Sequence, residues 1–145
     1  MASTRPARKR TRPIRVAPTP DPLSAWRRLA ARDLDRACIT QIREALAGTL
    51  MLHHRRWPAA SRFDAAAAVG IALDLTDDTG PAGIAGDLAM SALLIHAARG
   101  NQAARLVLAR ALVQASQAPD GSPELFGLAL GWARHACDMG PPTSA

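Results

Sequence analysis

Aromatic side chains are scarce in this sequence: its 145 residues include no tyrosine, two phenylalanines and three tryptophans. Strands favour aromatic and β-branched residues, so a chain whose 48% apolar content is mainly alanine and leucine points to closely packed helices. Cysteine is equally thin. Cys38 and Cys137 lie far apart with no C-x-x-C spacing, which excludes a disulfide framework or a zinc knuckle and makes a reducing compartment the expectation. No apolar run approaches the ~20 residues that span a bilayer. The first residues carry charge without the apolar core of a secretory signal, and Pro6 and Pro13 oppose the amphipathic helix of a transit peptide. The expected location is therefore the cytoplasm. Lysine is almost missing too, with seventeen arginines to one lysine. Arginine forks suit phosphate and carboxylate, but a coding bias explains that ratio equally well.

What is present suffices for one self-contained core, since a chain of this length buries roughly two-thirds of its unfolded surface. The net charge of +6 is concentrated in the first twenty residues, where Arg5, Arg8, Lys9, Arg10, Arg12 and Arg15 meet no acid. The remainder balances twelve arginines against twelve acids, yet unevenly. Residues 22–62 hold eight arginines against Asp33, Asp35 and Glu44, while residues 63–145 hold four against eight acids. The folded part is expected to be electrically lopsided.

Residues 1–20, built from Pro, Arg, Thr and Ala, bury too little surface to offset the entropy of ordering and read as a disordered basic tail. Asp21-Pro22 makes an N-cap and first-turn pair. Leu23, Trp26, Ala30, Leu34, Ala37, Cys38, Ala45, Leu46 and Leu50 then recur at helical spacing. They predict one long helix to about Arg56, or two that break near Asp33, ended by Pro58. Ser61 with Asp64 suggests a capping box for a helix over 62–75, and Thr76 to Gly80 reads as a loop. Pro81 opens a helix that closes at Gly100, another covers 102–117, and Pro119-Asp120-Gly121 is turn chemistry. Ser122-Pro123-Glu124 starts a final helix that runs to about Met139, with Gly140 as its C′ residue and 141–145 frayed. The fold class is all-α, a single domain over 21–140 of five to six helices, arranged as a bundle or as a short helix-pair array.

An internal echo bears on that choice. His96-Ala97-Ala98-Arg99-Gly100 and His135-Ala136-Cys137-Asp138-Met139-Gly140 both close helices, and their histidines lie 39 residues apart, a period that suits helix-pair repeats. Trp132, Ala136, Cys137 and Gly140 follow a W-x-x-x-A-A-x-x-G pattern with Cys for the second Ala. Gly100, Asn101, Ala104, Leu108 and Ala109 follow G-N-x-x-A-x-x-x-L-G with Ala for the last Gly. Over about residues 66–140 the chain thus resembles the Sel-one-like repeat, a relative of the tetratricopeptide repeat. The resemblance implies a solenoid-like scaffold that offers a concave surface to a protein partner.

Catalytic signatures are not apparent: there is no G-x-S-x-G elbow and no P-loop. The spacing of Asp74, Asp77 and Asp78 does not match a cation loop, and His96, His135 and Cys137 converge on zinc only if a repeat stacks them, whereas equivalent positions on packed helices lie ~10 Å apart, so neither metal nor cofactor is expected. The densest polar cluster is His53-His54-Arg55-Arg56-Trp57. Its arginines suit phosphate or an acidic partner and Trp57 suits stacking on a base, although cations at a helix end and a packed tryptophan explain it as well. The candidate binding residues are Arg5, Arg8, Lys9, Arg10, Arg12, Arg15, Arg55, Arg56 and Trp57. The expected function is a noncatalytic protein-binding scaffold with a basic arm for electrostatic attachment. The alternative is a small accessory nucleic-acid-binding protein that uses the arm and the arginine-rich first helix.

Overall fold

In a computed structural model the described residues are 21–47 and 54–138. The basic tail, His53, Gly140 and the C-terminal end fall outside them. Among the described residues the chain is all-helical, as the alanine and leucine content requires, and no helix is long and apolar enough to cross a membrane. Two short 3-10 helices, Pro22–Arg27 and Ala31–Asp33, precede α1 (Arg36–Ala47), the single turn α2 (Trp57–Ala60), α3 (Ala65–Asp78), α4 (Gly83–Ala98), α5 (Gln102–Gln117) and α6 (Pro123–Asp138).

The predicted long first helix is absent, and the break near Asp33 is real. Ala30 and Leu34 adopt extended conformations. Asp35 then accepts the Cys38 amide at 2.8 Å as α1 begins, which holds its carboxyl below the usual carboxylate range. Upstream, the 3-10 turn is held by tertiary bonds: the Trp26 indole donates to Asp87 at 2.9 Å, and the Ser91 hydroxyl donates to the Leu23 carbonyl at 2.9 Å.

Pro58 starts a turn instead of ending a helix, because the first helical positions need no amide donor. Asp64, not Ser61, caps α3 by accepting the Ala67 amide at 2.8 Å. The expected loop at Thr76–Asp78 is the last turn of α3. Gly80, at a φ of +79°, closes it with a bond from its amide to the Leu75 carbonyl. Helix α4 begins at Gly83, two residues after Pro81.

Helix α4 forms the centre. From Leu88 to Ala97 every residue is buried, and α1, α3, α5 and the Trp26 turn pack around it. Helix α5 pairs with α6 across a short turn. Gly100 and Asn101 organise one end: the Asn101 amide bonds the His96 carbonyl, and the Asn101 side chain caps α5 by accepting the Ala104 amide at 2.9 Å. Arg105 donates to the carbonyls of Ala97 and His135, and Gln102 to that of Ala136, which ties the ends of α4, α5 and α6 together.

Candidate functional site

The sequence cluster around Arg55 is mostly spent on structure. Trp57 is 2% exposed and sits in the core, so its ring is not available for stacking on a base. The other two tryptophans, Trp26 and Trp132, are buried as well. His54 Nδ1 accepts the Arg56 amide and its Nε2 lies 3.0 Å from Asp74, an arrangement that places the ring proton on Nε2. The Arg56 guanidinium rests on Gly70, where a β-carbon would collide with Nη1. Arg55 is exposed. The six basic residues of the tail lie outside the described residues, so the structure does not join them to Arg55 and Arg56.

Asp74 and Asp77 are already engaged within the protein, Asp74 by the His54 ring and Asp77 by Arg110 at 2.6 Å. Among the described residues no group of three or more His, Cys, Asp or Glu could hold a metal ion. The two histidines of the repeat pattern differ in setting. His96 is buried, and burial, followed by the nearby Arg99 charge, pushes its pKa below the ordinary value. His135 is exposed.

A cleft of about 730 Å³ lies between the segment 27–32 and α6. Arg27, Arg28 and Arg32 form one wall with Ala30 and Ala31. The other is a continuous face of α6 from Ser122 to His135, which at 1.5 Å per residue is about 20 Å long. Arg27 is anchored: its guanidinium stacks 4.7 Å from the Trp26 ring, donates to the Pro81 carbonyl at 3.2 Å and lies 3.4 Å from Asp87. Among the described residues Arg28 donates to the Ser24 hydroxyl and the Asp21 carbonyl, and no carboxylate pairs with it. Among the same residues Arg32 reaches Asp33, at 4.0 Å, and its side chain is 87% exposed.

Against these three arginines, among the described residues, the cleft carries a single carboxylate, Glu124. Hydrogen bonds from its own backbone amide and from the Ser122 hydroxyl hold that group ionised, below its ordinary pKa. Gly127 and Gly131 leave the α6 backbone bare along the wall, while Leu128 and the buried Trp132 add apolar surface.

In the sequence Arg27, Arg28 and Arg32 stand out only as part of an arginine-rich first helix, and the α6 wall is not among the expected binding residues. The signal for that wall was Gly127-Leu128-Ala129-Leu130-Gly131, two glycines one turn apart inside a helix. Fold and site together define a compact helical module with an arginine-lined groove. Comparison with known protein families, characterised proteins and solved structures gives no significant match.

Proposed function

We propose that this chain is a noncatalytic helical interaction module that takes an acidic segment of a partner protein into the α6 groove. The observation that carries the reading is the convergence of Arg27, Arg28 and Arg32 on one cleft, where among the described residues Arg28 has no carboxylate partner and Arg32 has only Asp33, at 4.0 Å. The basic residues of 1–20 carry the same sign of charge as the groove arginines. Opposed charge across such a surface sets association rate and specificity more than raw affinity. In this reading the arm adds electrostatic attachment. The helix pairs α3–α4 and α5–α6 correspond to the two Sel-one-like units, a reading supported by Gly100 closing α4 and Asn101 capping α5. The compartment proposed is the cytoplasm, in keeping with the free thiols of Cys38 and Cys137.

An accessory nucleic-acid-binding role is the second reading, favoured by the positive charge that the arm and the groove arginines have in common. The burial of all three tryptophans weighs against it, since strand binding usually draws on exposed aromatic platforms.

Fluorescence anisotropy of the full chain with a glutamate-rich peptide and with a DNA duplex separates the two. Reversal of two groove charges, Arg28→Glu with Arg32→Glu, is expected to weaken peptide binding by about tenfold at low salt, with less effect at high salt. Unchanged peptide affinity contradicts the proposal. Much tighter duplex binding that falls steeply with salt transfers the site to nucleic acid.

A further inference from the structure

We infer that the occupant of the groove is an acidic amphipathic α-helix of a partner protein, seated across α6 at Gly127 and Gly131; this rests on the reading that the groove takes an acidic segment.

The glycines are the starting point. Inside a helix, glycine is less favourable than alanine, so a mid-helix glycine calls for a reason. Elsewhere the reason is internal: a β-carbon at Gly70 would strike Arg56, and one at Gly86 the Pro81 carbonyl. At Gly127 and Gly131 a β-carbon would meet nothing within 4 Å, and neither residue has a positive φ. No contact inside the described protein requires them. Both line the arginine-walled groove, one helical turn apart, where they let another backbone come close to α6.

The spacing along the groove gives the form of that backbone. Glu124, Leu128, Gly131 and His135 follow one another at intervals of four, three and four residues, the seam that one helix presents to a second helix packed along it. The wall of about 20 Å accommodates nearly four helical turns, far more than a single anion needs. Trp132 belongs to the same wall, is 1% exposed, and its indole N–H has no acceptor in the described protein. A buried donor of this kind is normally satisfied.

Charge selects among occupants. The chain's own residues 1–20 are basic without an acid and are repelled by Arg28 and Arg32, and a second copy would bring its own arginine wall to the contact. An acidic helix satisfies both walls, its apolar side on Leu128 and the glycines and its carboxylates towards the arginines.

The test is calorimetric titration of the full chain with a synthetic peptide of about fourteen residues, a length matched to the groove at 1.5 Å per residue, made of Glu, Ala and Leu and constrained to be helical. A second peptide of equal charge carries two central prolines that forbid a helix. The helical peptide is expected to bind at least about tenfold more tightly, and Gly127→Leu or Gly131→Leu to remove most of that advantage without lowering the melting temperature. Equal binding of both peptides, still weakened by Arg28→Glu, overturns the helical form and leaves the acidic reading standing. Binding of either peptide that ignores Arg28→Glu overturns both. Sedimentation that shows a dimer abolished by Gly131→Leu assigns the groove to a second copy and also overturns the inference.

Discussion

Asp87 does the work of two anchors, accepting from the Trp26 indole at 2.9 Å and lying 3.4 Å from the Arg27 guanidinium. Asp87→Ala leaves the fully buried indole donor without a partner, a loss of about 1–3 kcal/mol measurable by denaturant unfolding. It also frees Arg27 to move, so groove affinity is expected to change with stability. His96 works in the opposite sense, as a buried group that resists charge. Its pKa is below the ordinary value when folded, so the unfolded chain binds the proton more readily. The folded state therefore keeps its full stability above the unfolded histidine pKa of about 6.5 and loses part of it as pH falls through the lower, folded value. Arg43 and Arg99 oppose protonation and Asp64 favours it. The unfolding midpoint is expected to fall between pH 7 and pH values below about 6, and His96→Gln to flatten that dependence. A midpoint that does not move in the native chain contradicts this reading of His96.

Helix ends that depend on neighbouring residues were readable in the sequence. The span 102–117 is α5 to the residue, since Asn101 caps it locally, and Ser122-Pro123-Glu124 starts α6 as expected. Asn101→Ala is expected to cost about 1 kcal/mol, because the side-chain cap of α5 is lost while the backbone bonds at Gly100 and Asn101 remain. The first segment was not readable as a 3-10 turn. Its geometry depends on Asp87 and Ser91, 61 and 68 residues away from their partners Trp26 and Leu23, and no local pattern encodes those bonds. Phe63, at a φ of +67°, was equally hidden: the turn after α2 and the Arg43 guanidinium 4.5 Å from its ring hold a conformation that a phenylalanine seldom adopts. On α6, Gly127→Ala and Gly131→Ala are each expected to stabilise the free protein by up to about 1 kcal/mol, read as a rise in melting temperature. A fall in melting temperature shows that the glycines serve internal packing.

At the scale of the molecule, the uneven charge along the chain becomes a place. The arginine-rich stretch 22–62 supplies one wall of the groove and the C-terminal helix the other, so the site joins regions that lie about a hundred residues apart. Composition disclosed the helical class and the basic half, and the structure added the cleft that opens between α6 and the 3-10 segments. Trp57 decides between the two readings of the polar cluster for its own ring: in sequence it adjoins two arginines, but in space it belongs to the core, while Arg55 and Arg56 are exposed. Nitrogen-15 chemical-shift mapping of the full chain with the helical acidic peptide tests the groove most directly. Perturbation concentrated at Arg28, Arg32, Gly127, Gly131 and the Trp132 indole is the expected result. Shifts confined to residues 1–20 and Arg55, with α6 silent, would contradict it.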